Sequence, residues 1–158
     1  MNLTEALHIR RYQPTDYEAV WRLHTVALHA TGACAGHGPW DDDLHKIEAV
    51  YLDKGGEFLV GVYHGQIVAM GTLKKTSPER AEIKRMRVSP AFQHRGFGQA
   101  ILAALERRAV ELGCAELHLD TTVQQKAAQE LYIKNGYRKV RRARMGRFEC
   151  IFYEKNDL

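Results

Sequence analysis

Cysteine is scarce in this chain and badly placed for cross-linking. The three in 158 residues, Cys34, Cys114 and Cys150, are odd in number, far apart, and include no C-x-x-C pair. This pattern excludes a disulfide framework, argues against a zinc site and points to a reducing compartment, so a cytoplasmic location is expected. The eight histidines form no H-x-x-H or similar ligand cluster, and no metal is expected. Long apolar runs are missing too. Nothing approaches the roughly 18 residues of a membrane span, and Met1–Arg10 lacks the apolar core of a signal peptide, so no membrane partner is expected. No repeat, low-complexity tract or linker divides residues 1–158, which read as one domain. Neither sign of charge dominates. Lys+Arg number 23 against 19 Asp+Glu, a formal +4 that suits an anionic ligand without choosing among nucleic acid, phosphate and cofactor. With 45% hydrophobic and 27% charged residues, the composition excludes disordered and fibrous classes.

What is present is strongly patterned. Leu7–Tyr12 alternates as a strand, and Thr15-Asp16-Tyr17-Glu18 has the form of a capping box before Val20, Leu23, Ala27 and Leu28 at helical spacing. Thr31–Pro39 reads as a loop, and Asp41–Leu52 as a second helix through Leu44, Ile47, Val50 and Tyr51. Glu57–Tyr63 and Gln66–Leu73 form a hairpin about His64-Gly65. Ala81–Val88 is a further strand. Gly98–Leu112 is an amphipathic helix with a stripe of Ile101, Leu102, Leu105, Ala109 and Leu112. Glu116–Asp120 reads as a strand, Gln124–Asn135 as a helix, and Tyr137–Arg144 and Arg147–Glu154 as strands about Met145-Gly146. The order β-α-α-β-β-β-α-β-α-β-β describes an α/β (α+β) fold, a mixed sheet with helices on its faces.

The segment from Val88 to Gln99 joins a strand to a helix through Gly96 and Gly98. Glycines there permit a tight turn and close backbone approach, and the amides of a helix N-terminus lack acceptors, so the turn is suited to phosphate. No P-loop sequence occurs anywhere in the chain. A dinucleotide fingerprint would need glycine where Ile101 stands.

At these residues the chain resembles the GNAT acetyltransferase superfamily. Gln93-His94-Arg95-Gly96-Phe97-Gly98 matches the family's Q/R-x-x-G-x-G/A acetyl-CoA motif. Ala81–Pro90 resembles its central strand and V-x-P exit, and Ala128–Tyr137 is similar to its A-x-x-L-Y-x-K-x-G-F/Y motif. The resemblance implies a splayed central sheet of about six to seven strands flanked by about four helices. It also implies acetyl-CoA as acyl donor. The backbone of Met86, Arg87 and Val88 would bind the pantetheine arm, and the Gln93, His94, Arg95, Gly96, Phe97, Gly98 and Gln99 turn the pyrophosphate. Gln125 stands where the family often has an asparagine that contacts the arm, and keeps an amide one methylene longer.

Two residues are implied as catalytic. Tyr132 matches a tyrosine that points at the cofactor sulfur, and a phenol of pKa about 10 can protonate a departing thiolate; A-x-x-L-Y also describes a core face. Glu82 lies where many members carry a base for the amine. The bland reading is a strand glutamate paired with Lys84, Arg85 or solvent. Trp40 and Asp41 are implied on the acceptor side, Trp40 offering a face to a cation, while Asp41, Asp42 and Asp43 also suit helix capping. The basic run Arg138–Arg147 reads as a solvated strand edge, and no nucleic-acid partner is expected. The expected activity is acetyl transfer to a primary amine, on a small molecule or a peptide, by direct attack in a ternary complex. The alternative is a catalytically silent acyl-CoA-binding module. A homodimer is left open.

Overall fold

The computed structural model describes residues 6–32 and 38–158, so Cys34 and most of the expected loop lie outside the described residues. Seven strands form one sheet: β1 (His8–Arg11), β2 (Glu57–Tyr63), β3 (Gln66–Ser77), β4 (Arg80–Val88), β5 (Glu116–Thr122), β6 (Arg138–Met145) and β7 (Phe148–Lys155). Their spatial order is β1-β2-β3-β4-β5-β7-β6. The three α-helices are α1 (Tyr17–Thr31), α2 (Phe97–Glu111) and α3 (Lys126–Lys134). The expected mixed, splayed sheet with helices on its faces is the observed architecture. The His64-Gly65 hairpin forms as read, with both residues at positive φ (50° and 77°), as a type I′ turn requires.

Each face of the sheet buries its own core. On one side, Ile101, Leu102, Leu105 and Ala109 of α2 pack on Ala69, Leu73, Ala81, Ile83, Leu117 and Leu119. On the other, Val20 and Leu23 of α1 join Leu44, Ile47 and Tyr51 over Phe58, Val60 and Met70. β2 and β3 carry runs of consecutive buried residues because both faces of the sheet are covered, and α2 presents one stripe buried at period 3.6.

Two local expectations change. Thr15 does not cap α1. A 3-10 turn, Pro14–Asp16, precedes the helix, and Asp16 reaches back to the Gln13 amide (2.8 Å) while accepting two bonds from Arg10. The expected helix over Asp41–Leu52 is instead a 3-10 helix, Pro39–His45, followed by a π turn, Glu48–Leu52. Asp41 and Leu44, three residues apart, both point inward, and three residues per turn places them on one side.

Two irregularities shape β4. Lys84 pairs with Thr72 and Arg87 with Met70, so Arg85 and Met86 together oppose Gly71 in a bulge, with Arg85 at φ 57°. On its other edge β4 pairs in parallel with β5 only at Arg80, Ala81 and Glu82. Beyond Glu82 the two strands part. Gly71 is required at the bulge: a Cβ there would lie 2.6 Å from Met86 Sδ, 2.7 Å from Ile101 and 2.9 Å from Leu105. Gly71→Ala is therefore expected to destabilise the protein by about 1–3 kcal/mol. The measurement is thermal denaturation, and an unchanged Tm would show that Met86 and α2 yield freely.

Candidate active site

The gap between β4 and β5 opens into two cavities of about 780 and 400 Å³. They share Leu28, Met86, Arg87, Gln125, Ala128 and Tyr132, and so form one cleft with two halves. Along its wall, β4 has no strand partner on the β5 side after Glu82. The peptide groups of that edge therefore face the cleft and can pair with an extended, amide-bearing chain.

The smaller half ends at the glycine-bearing turn. His94 (φ 63°) and Gly96 (φ 79°) reverse the backbone, and the first helical bond of α2 runs from Ala100 N–H to the Gly96 carbonyl (3.0 Å). The amides of Phe97, Gly98 and Gln99 thus have no acceptor within the helix and line the cavity, the arrangement an anionic phosphate needs. Side chains here have other tasks. Phe97 is buried, Arg95 lies over the rings of Phe92 (5.2 Å) and Tyr63 (5.7 Å), and Gln99 makes a reciprocal amide pair with Asn135 (2.9 and 2.7 Å). Gln93, His94 and Gly96 line the cavity, as does Val88. Gln125 bends back so that its carbonyl accepts from the Thr122 amide (3.0 Å) and hydroxyl (3.2 Å). Its amide nitrogen bonds none of the described residues.

The larger half is walled by Glu82–Arg87 of β4, Asp120–Thr122 of β5, His24 of α1, Trp40 and the β6–β7 turn Met145–Phe148. The Glu82 side chain makes no ion pair or hydrogen bond with any described residue, so the alternative of a glutamate paired with Lys84 or Arg85 is not what is found. Its neighbour Asp120 is held above the usual carboxylate range by burial and by the Glu82 charge. Tyr132 lies at the junction of the halves. Its ring packs against Tyr137 (5.5 Å) and Tyr153 (6.1 Å), so it is core as well as cleft. The hydroxyl bonds no described residue and is not sealed from the cleft. Burial raises its pKa despite the opposing charge of Arg87, which keeps the phenol protonated at neutral pH.

Asp41 is not a free counter-ion for an amine. It is buried, lies 2.9 Å from His24 Nε2 and 3.7 Å from Arg85, and caps no helix. Asp43 accepts two bonds from Arg85 (3.0 and 2.6 Å) and one from Tyr51 (2.5 Å). Burial opposes its ionisation, but the Arg85 fork outweighs that and holds it below the usual range. Asp41 and Asp43 thus anchor their own segment to the β4 bulge, while Asp42 stays exposed. Trp40 stays half-exposed at the rim, its ring against Gly38. Sequence reasoning missed His24, Arg85 and Asp120. None carries a motif; an arginine within the strand opposite an acidic run was the one available signal.

His24 is held to about pKa 4 by burial and by the charges of Arg87 and Arg85. Its Nδ1 accepts from Arg87 Nε (3.4 Å), so Nε2 carries the proton given to Asp41. Because the unfolded histidine titrates near 6.5, the unfolded state binds the extra proton between the two values. Stability from this group is full above pH 6.5 and falls as pH drops toward 4. Denaturant titrations at pH 6.5 and 5 are expected to differ by about 1–2 kcal/mol through His24. His118, also lowered by burial, adds to the slope. A His24→Gln variant with the same slope as the native chain would overturn this assignment.

Comparison with known proteins agrees with this geometry. The family model for the acetyltransferase (GNAT) family matches residues 16–137. An acetyltransferase of Pectobacterium atrosepticum is 28% identical over 134 residues, covering 85% of this chain and 89% of that protein. Among solved structures, a GNAT-family acetyltransferase of Staphylococcus aureus Mu50 superposes with a TM-score of 0.87 at 22% identity, covering 96% of this chain and 99% of that one. The PaiA N-acetyltransferase of Thermoplasma acidophilum, solved with coenzyme A, superposes with a TM-score of 0.78 at 18% identity, covering 96% and 99%. The structural likenesses carry the fold, and the family's sequence pattern spans the strands, turn and helix that build the cleft: the chain belongs to the acetyltransferase (GNAT) family.

Proposed function

We propose that this chain is an acetyl-CoA-dependent N-acetyltransferase that acts on a primary amine, of a small molecule or a peptide, in a ternary complex. The observation that carries the reading is one cleft in which an unpaired carboxylate, Glu82, and an unbonded phenol, Tyr132, adjoin an amide-lined phosphate turn. The backbone of Met86, Arg87 and Val88, the turn from Gln93 to Gln99 and the Gln125 amide nitrogen would hold the cofactor. The chemistry acetyl-CoA supplies when bound is an activated acetyl thioester.

The chain's own residues supply position and proton transfer. An alkylamine is mostly ammonium at pH 7, so it must lose a proton before it can attack, and Glu82 is the acceptor facing it. Asp120, whose ionisation is weakened beside it, limits how much negative charge gathers there. Tyr132 stays protonated and is the donor for the departing thiolate. Among the described residues no cysteine lines either cavity, and direct attack of the amine on the thioester needs no covalent enzyme intermediate.

Two variants test this. Glu82→Gln is expected to lower kcat/KM for the amine at pH 7 by about 10²–10³-fold, with the deficit narrowing as rising pH deprotonates the amine itself. Tyr132→Phe is expected to lower kcat at least about tenfold while the acetyl-CoA KM changes little. Both are read by thiol release with an amine panel. Tight coenzyme A binding with no transfer to any amine would assign a binding module instead.

A further inference from the structure

Arg87 is a cleft residue whose side chain the proposed chemistry does not use. It lines both cavities and is partly buried where they meet. Nη1 donates to the Met86 carbonyl (2.8 Å) and Nε to His24 Nδ1 (3.4 Å). The guanidinium forms no ion pair with any described carboxylate. The contrast with its neighbour is sharp: two residues back, Arg85 is in direct ion pairs with Asp43 and Asp41, while those acids act on Arg87 only through space. Burial, with the repulsion of Arg85, draws Arg87 down to about pKa 10, so at neutral pH it is still a cation.

A guanidinium has five N–H donors in a planar fork. Two are committed here, which leaves three for a ligand. A cation drawn partly out of water without a direct ion-pair partner is costly unless something anionic completes it. The phosphates of the cofactor have donors of their own in the free amides at Phe97–Gln99, in the half of the cleft that Glu82 does not line. The larger cavity carries both signs of charge. Glu82 and Asp120 line it with Lys84, whose charge acts on Asp120, and Arg87 lies where it meets the cofactor half.

We propose that the acceptor is an amino carboxylate, whose carboxylate is held by Arg87 while its amine faces Glu82. Asp41 and His24 are positioning residues in this arrangement. Asp41 accepts the hydrogen bond of Nε2–H, which leaves the Nδ1 lone pair to orient Arg87 Nε and so aim the remaining donors into the cleft. This inference rests on the acetyl-transfer reading and narrows its substrate.

The test uses matched acceptors: amino acids against their carboxamides, with β-alanine and its amide to vary the spacing. The readout is the ratio of kcat/KM for carboxylate over carboxamide on the best acceptor, with the product identified by mass spectrometry. A ratio of about tenfold or more is expected for the native chain, as befits a charge-assisted bidentate contact. Arg87→Met is expected to bring the ratio close to one, and His24→Leu to lower it in part. General structural damage would depress both acceptors together and leave the ratio in place. Amine acetylation with no preference for the carboxylate overturns the proposal. So does an Arg87→Met variant that keeps the carboxylate over carboxamide ratio, whatever its loss of overall rate. If coenzyme A binds and no amine is acetylated, the acetyl-transfer reading fails. Calorimetric binding of N-acetylglycine against N-acetylglycinamide to the coenzyme A-loaded protein then decides Arg87 by itself, and equal affinities overturn its role.

Discussion

After Glu82 the central strand no longer shares hydrogen bonds with its parallel neighbour, and the rest of the site depends on that separation. A sheet that stayed paired along β4 and β5 would satisfy its own peptide groups and leave no room between them. Here the pairing ends after three residues, and one edge of β4 keeps its donors and acceptors for something else. The separation is held open from both faces. On one side α2 packs against β3 and β4, and on the other α1 and the 39–52 segment do the same. The cost of the unpaired edge is spread over two hydrophobic cores.

The bulge at Arg85 and Met86 turns this opening into a polar site of defined charge. By placing an extra residue opposite Gly71, it sends Arg85 toward Asp43 and Asp41, and Arg87 toward His24. Inside a partly desolvated cleft, charges that find partners fall silent and those that do not set the local field. Asp41 and Asp43 belong to the first class. Glu82 and Arg87 belong to the second, and they lie on the same strand at either side of the bulge. The electrostatics of the acceptor half therefore follow from one backbone irregularity more than from overall charge.

Much of this fold was legible from residue pattern. The α2 stripe, the two-residue hairpin and the glycine turn each rest on local rules, and each is observed within a residue or two of its expected place. The segment after Pro39 was not legible, because its helical spacing is real while its conformation answers to distant partners. Asp41, Leu44, Ile47 and Tyr51 must all face inward at once, and a 3-10 helix followed by a π turn accomplishes that. Strand order was not legible either. β7 inserts between β5 and β6, a matter of long-range pairing that no local signal encodes.

The sequence by itself determined the class of molecule: an apolar pattern that makes a mixed sheet, and a strand, glycine turn and helix whose free amides suit an anion. Those properties need only neighbours along the chain. Tertiary structure alone decided which charged groups remain available, since Arg85 reaches Asp43 across 42 positions and His24 meets Arg87 across 63. Pairing is a property of space, and carboxylates that look open to solvent in a sequence, as Asp41 and Asp43 do, can be spent once the chain has folded.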